Sequence, residues 1–209
     1  MTYQCVATSV AGFIQQLAVS YIANGYYFYV MGRIPDDKDA ASIDQKIIQQ
    51  YGIDVSKWTR ARRKKEGLAN VQYLRYRSFF VILATRGQHP FFAAEARRIR
   101  DVREHPIYFM GYSIGCRPRR HGFGYHASVR IERGLCQGLK AHFEEIATHQ
   151  SVENLCRELR EIDYEPYAPV RGQLRRILRA VNRRRKVAGL DLVPRHALCL
   201  YRCPLRPFE

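Results

Sequence analysis

The apolar residues of this chain change period several times along its length. Val10, Phe13, Ile14, Leu17, Tyr21 and Ile22 fall on one helical face and Asn24-Gly25 supplies a stop, which predicts a helix over 8–24. Tyr26 to Ile34 is a run of aromatic and β-branched residues ended by Pro35, the pattern of a strand. The acids of Asp36 to Asp39 suit the start of a helix, and Ile43, Ile47, Ile48 and Tyr51 predict that helix over 41–51. Gly52 breaks it, Ser56 is a good N-cap, and the next helix runs over 56–66 to a stop at Gly67. Val71 to Arg77 and Phe79 to Thr85 read as two strands of a tight hairpin.

Pro90 suits the first turn of a helix predicted over 90–103. Ile107 to Cys116 and Tyr125 to Ile131 read as a second strand pair, joined by the Arg- and Gly-rich stretch Arg117 to Gly124. Helices are predicted over 135–149, 151–161 and 169–188, with Ala197 to Arg202 as a closing strand. In the helix over 169–188, Val170, Leu174, Ile177, Leu178 and Val181 make a narrow apolar stripe that docks on the body. Strands interspersed with helices predict an α+β fold. A seam around 87–90 divides it into a unit over 1–88 and a mixed hairpin-and-helix region over 89–209 that ends in a basic helix, unless that stretch is an ordinary loop of a single domain. The pattern contains no internal repeat and no low-complexity tract.

Charge changes this picture more than composition does. The 209 residues carry 35 Lys and Arg against 19 Asp and Glu, a net charge of +16. By segment the net is −2 over residues 1–55, +13 over 56–134, −4 over 135–170 and +9 over 171–209. An ordinary soluble surface mixes its signs, whereas two basic blocks separated by acidic ones favour two basic contact surfaces. The expected partner is nucleic acid, ahead of an anionic membrane surface and acidic proteins.

The stretch Ile43 to Leu68 resembles a helix-turn-helix. Ile47 and Tyr51 stand in its first helix, Gly52 at the turn, Ile53 after it, and Trp58 and Ala61 in the second helix, at the spacing that packs two helices across a short turn. Ile48 departs from the family, which usually keeps a small residue at that position. The order helix, strand, helix, helix, strand, strand over 8–86 is similar to that of winged helix-turn-helix domains. The resemblance implies an N-terminal winged-helix-like unit in which residues 56–66 enter the DNA major groove and the 71–85 hairpin is a wing on the backbone. It also makes Trp58 a core residue, and it tilts the expected partner slightly towards DNA.

The nucleic-acid contacts predicted on these grounds are Lys57, Arg60, Arg62, Arg63, Lys64 and Lys65 on the second helix, and Arg75 and Arg77 on the hairpin. Arg117, Arg119 and Arg120 are predicted contacts in the second connection, and Arg171, Arg175, Arg179, Arg183 and Lys186 on the last long helix. Arginine dominates that helix, and its planar fork suits phosphate and guanine edges. Tyr73, Tyr76, Phe123 and Tyr125 interleave with arginines, and exposed rings on a basic sheet stack unpaired bases, so RNA or single strands stay open beside duplex DNA.

The function expected is nucleic-acid binding, in the setting of an accessory or initiator protein of replication, transposition or regulation. The alternatives are a nuclease and an RNA-binding ribonucleoprotein component. His89, His105, His121 and His126 are the histidines a metal-free nuclease has available, and Glu66, Glu95, Asp101, Glu104 and Glu132 the carboxylates of the basic block. Their spacing matches no motif, and no phosphate-binding glycine pattern occurs, so neither a cofactor nor a metal is expected. His196, Cys199 and Cys203 offer three ligands with no evident fourth. No segment is apolar for long enough to span a membrane, and the six scattered cysteines fit reduced thiols of a cytoplasmic protein.

Overall fold

The computed structural model describes residues 3–119, 122–202 and 205–208. The architecture is α+β. The chain forms two compact units, one of Met1–Ile107, Ile114–Ser128 and Leu205–Glu209, the other of Tyr108–Ser113 and Val129–Pro204. The predicted seam at 87–90 therefore lies inside the first unit. Gly87 sits at φ +141°, and a Cβ there would come within 2.6 Å of backbone atoms of Gly67, Leu68 and Ala69. The two backbones are laced by Ala69 N–H to the Gln88 carbonyl and Gln88 N–H to the Gly67 carbonyl, each 3.0 Å. Gly87 thus permits a close approach of two backbones. Gly87→Ala is expected to destabilise the first unit by about 1–3 kcal/mol, the usual cost of forcing volume into a packed site. An unchanged urea midpoint would contradict this.

The first unit is built on four antiparallel strands: β1 (Tyr26–Arg33), β2 (Val71–Tyr76), β3 (Phe79–Thr85) and the short β4 (Arg100–Asp101), in the order β2-β3-β1-β4. β3 is a nearly continuous apolar run because both faces of the sheet are covered. On one face lies a helical segment that starts as α1 (Val10–Gln15), loosens to a π-helix over Gln16–Tyr21 and ends in a 3₁₀ turn. Its Phe13 ring meets Phe79 at 5.8 Å and Tyr76 at 6.5 Å. On the other face, Ile47, Ile48, Tyr51 and Ile53, from α2 (Ala40–Gln50) and the turn after it, pack with Val30, Tyr73, Ile82, Ala84 and Phe91. α3 (Lys57–Lys65) follows α2, and α4 (Pro90–Ala94) is a single short helix.

The helix predicted over 90–103 thus stops at Ala94. Beyond Phe92 the segment has too few apolar residues for a helical stripe, and Arg100–Asp101 instead pair with Tyr29 and Phe28 along the free edge of β1. The outer edge of β2 is covered by the N-terminal segment, where Arg75 N–H donates to the Cys5 carbonyl (2.7 Å) and Ala7 N–H to the Arg75 carbonyl (2.8 Å).

β5 (Ile107–Phe109), β6 (Tyr112–Pro118) and β7 (Tyr125–Ile131) form a three-stranded sheet in that order, and the chain crosses between the units within them. The single strand predicted over 107–116 is broken by Met110 and Gly111 at φ 45° and 78°, the pair of positive values that a two-residue type I′ hairpin turn requires.

The second unit is helical: α5 (Arg133–Ile146), α6 (Val152–Arg160) and α7 (Ala168–Val187). All five stripe residues predicted for α7 are buried, together with Phe143, Leu155 and Leu159. Buried Arg185 donates to the carbonyls of Ala147 (2.7 Å) and Gln150 (2.9 Å), satisfying acceptors at the C-terminus of α5. The strand predicted over 197–202 is absent. Val193 is held by a side chain, Asn182, through two 2.8 Å bonds to its N–H and carbonyl, and a 3₁₀ turn over Arg195–Ala197 follows. Among the described residues no helix is long and apolar enough to cross a membrane, and Cys5, Cys116, Cys136, Cys156 and Cys199 are free thiols.

Candidate nucleic-acid interface

α3 starts at Ser56, whose hydroxyl accepts from the Thr59 N–H (3.1 Å), and the helix buries no residue. Lys57, Arg62, Lys64 and Lys65 are exposed, while Arg60 and Arg63 lie half-buried on its inward edge. That edge is held by polar contacts. The Asn70 side chain donates to the Arg60 carbonyl (3.0 Å), Leu68 N–H to the Arg63 carbonyl (2.9 Å), and the Arg63 guanidinium to the Gly52 carbonyl (3.3 Å). Among the described residues Arg60 Nε, which is buried, has no hydrogen-bond partner, and it lies beside a cleft of about 860 Å³ that Lys57, Tyr3, Tyr21 and Tyr26 also line.

The packing expected of a helix-turn-helix is not there. Tyr51 and Ile53 are buried, but they pack with the sheet, and Trp58 is 86% exposed with Ala61 exposed beside it. Six of the nine residues of α3 are cations, so Trp58 and Ala61 are its whole apolar content, too little for a stripe that could dock on α2. The element order and the hairpin persist without the two-helix core. The preference for DNA over RNA leaned on that core and loses its support.

Arg75 is not a surface contact. Its guanidinium lies on Asp44 of α2 through bonds of 2.7 to 3.0 Å and donates to the Arg77 carbonyl (2.7 Å), and Asp44 also accepts from the Tyr73 hydroxyl (2.6 Å). The hydrogen bonds to Asp44 push the Arg75 pKa up, and burial followed by Asp44 does the same to the Tyr73 hydroxyl. Arg77 is exposed at the hairpin turn with its guanidinium 5.4 Å from the Tyr76 ring centre.

Arg117 near the end of β6 and Arg119 on the connection to β7 are exposed, and Phe123 on that connection is exposed as well. Arg120 and His121 lie outside the described residues. Two residues that the sequence reading did not select complete this surface. The Arg103 guanidinium sits 4.8 Å from the Tyr27 ring and 5.4 Å from the Tyr125 ring, and those rings meet edge-on at 5.8 Å. Asp101 holds Arg103 through two bonds to Nε (2.9 and 3.1 Å); burial opposes the carboxylate, but these bonds keep its pKa below the usual range. The helix predicted over 90–103 includes Arg103, so nothing in the sequence places it beside Tyr27.

In the second unit, Arg175, Arg176, Arg179, Arg183 and Lys186 are exposed on one side of α7, opposite its buried stripe. Grooves flank this side: one of about 870 Å³ contains Arg175, Arg179 and Arg195, and one of about 350 Å³ contains Lys140, Arg176, Arg179 and Arg183. Arg171 is half-buried and donates to the Pro166 carbonyl (3.1 Å).

The carboxylates and histidines available to a nuclease are engaged elsewhere or scattered. Glu95 accepts from the Tyr51 hydroxyl (2.8 Å), and burial and Glu95 push that hydroxyl up to about 12. His89 Nδ1 caps α4 by accepting from Phe91 N–H (3.0 Å), and burial and Arg63 lower its pKa. His105 and His126 are exposed. Among the described residues no three His, Cys, Asp or Glu side chains gather into a group that could hold a metal ion, and Cys203 lies outside them. No protein-family model, curated protein or solved structure compared with the chain matches it.

Proposed function

We propose that the protein binds nucleic acid through α7 in its second unit and α3 in its first. One observation carries this reading. α7 holds eight cations and no acid along twenty residues, five of those cations stand exposed on one side, and the opposite side is locked in the core. An ordinary surface helix offsets its cations with carboxylates three or four residues away. α7 leaves them to an outside anion, and a row of arginines along a helix suits successive phosphates better than a single small ion. A bilayer surface fits less well, because the exposed side of α7 carries charge where an interfacial helix needs an apolar face to sink.

Titrating the full chain with single-stranded DNA, matched duplex DNA and RNA over a salt series tests this. The logarithm of the binding constant should fall linearly with the logarithm of salt concentration, by about 0.9 per phosphate contact on duplex DNA and about 0.7 on a single strand. A flat dependence, or no binding at low salt, would sink the proposal.

A further inference from the structure

Trp58 is the chain's one tryptophan, and α3 leaves it 86% exposed. Indole is the largest apolar side chain and normally fills a core or an interface. No core takes it here: α3 buries no residue, and at 100° per residue Trp58 shares its outward side with Ala61, Arg62 and Lys65. Lys57 and Lys64 border that side, and among the described residues the one carboxylate paired with it, Glu66, lies 3.9 Å from Arg62 in an exposed and therefore weak contact. A flat aromatic face thus stands among cations on a helix that is otherwise anchored by its inward edge.

The geometry points to a contact for single-stranded nucleic acid, in which the Trp58 indole stacks on an unpaired base while Lys57, Arg62 and Lys65 take the neighbouring phosphates. This deepens the nucleic-acid reading above and rests on it. Base stacking needs a free π-face, which a duplex keeps for its own stack, and a strand with splayed bases supplies one. Duplex recognition by α3 would need the helix pressed end-on or lengthwise into the groove by a partner helix, and the Trp58 and Ala61 contacts that would hold it so are missing. An anionic membrane is the rival occupant for a basic helix with one tryptophan. α3 has only Trp58 and Ala61 to insert, far short of the apolar side that interfacial helices carry.

Because Trp58 is the only tryptophan, intrinsic emission of the full chain reports this one side chain. At low salt, a single-stranded oligonucleotide is expected to quench it, and matched duplex to quench it far less. Trp58→Ala should weaken single-strand binding by about 5- to 150-fold, the span of one stacked base, while duplex binding changes by less than about 2-fold. Trp58→Phe keeps a π-face and should restore most of the loss. Thermal stability should be unchanged in both variants, since the ring has no packing to lose. Single-strand binding without quenching, with Trp58→Ala at wild-type affinity, would overturn the inference and leave α7 as the binding surface. So would equal losses on single strand and duplex, or a blue shift on phosphatidylglycerol vesicles at lower concentration than on any oligonucleotide. If no nucleic acid binds at low salt, the reading of both helices fails together.

Discussion

Asp44→Ala should lower the stability of the first unit by about 3–5 kcal/mol, the usual cost of leaving a buried ion without its partner. Asp44 and Arg75 have side-chain exposures of 8% and 12%, so water can do little for whichever one is left behind. Asp44 also takes the Tyr73 hydroxyl, which would lose its acceptor at a further cost of about 1–3 kcal/mol if no water replaces it. The double variant Asp44→Ala, Arg75→Leu should recover most of the cation's share and retain the tyrosine's, so the two substitutions will not be additive. Urea unfolding of the two single variants and the double variant, followed by far-UV circular dichroism, measures that coupling. A loss under about 1 kcal/mol for Asp44→Ala would mean that the pair is solvated, and Arg75 would return to the list of cations free to meet a phosphate.

The elements that were legible in the sequence are those whose periodicity outlasts a few turns or a full strand. β1, β2, β3, α5, α6 and α7 lie where the pattern puts them, and the α7 stripe is buried residue for residue. Where the chain is organised by single polar side chains, no period exists to read. Gln15 exchanges both amide hydrogen bonds with Leu205, Gln173 with Ile131 (2.9 Å each) and Asn182 with Val193 (2.8 Å each). Each amide mimics one residue of a strand, and each joins positions that sequence distance keeps apart. Met110-Gly111 escaped for a related reason: methionine at positive φ is not a turn signal, and the surrounding apolar run reads as one strand.

The candidate site was legible as charge and illegible as exposure. Segment totals found α3 and α7, but a count of cations cannot tell a solvated arginine from one that builds the fold. Arg75 and Arg185 belong to the second kind, and Arg63 and Arg171 are partly so. Trp58 is the opposite case. Its spacing from Tyr51 and Ile53 matches a helix-turn-helix pair, but the composition of α3 decides its place. A nine-residue helix with six cations and two apolar residues has no face to bury, and on that arithmetic the tryptophan belonged outside.

Arg175, Arg179 and Arg183 are the cations of α7 where binding and stability should move in opposite directions. They follow one another at i, i+4 along the exposed side, so each successive pair repels by about 0.2–0.5 kcal/mol, and alanine is the best helix former to put in their place. The triple alanine variant should therefore melt at the same temperature as the wild type or slightly above it. Its affinity for nucleic acid should fall by about 100-fold on a single strand and about 500-fold on duplex DNA at about 100 mM salt, the loss of three phosphate contacts. The salt slope should drop by about two to three for the same reason, and the deficit should vanish near about 1 M, where counterion release no longer favours binding. Lysine at the three positions should restore the slope but only part of the affinity, since an ammonium keeps the charge and loses the guanidinium's fork. A triple variant that melts lower would place these arginines in the packing of the second unit. One that melts as expected and binds as tightly as the wild type would remove α7 from the interface, because nothing else about the helix would have changed.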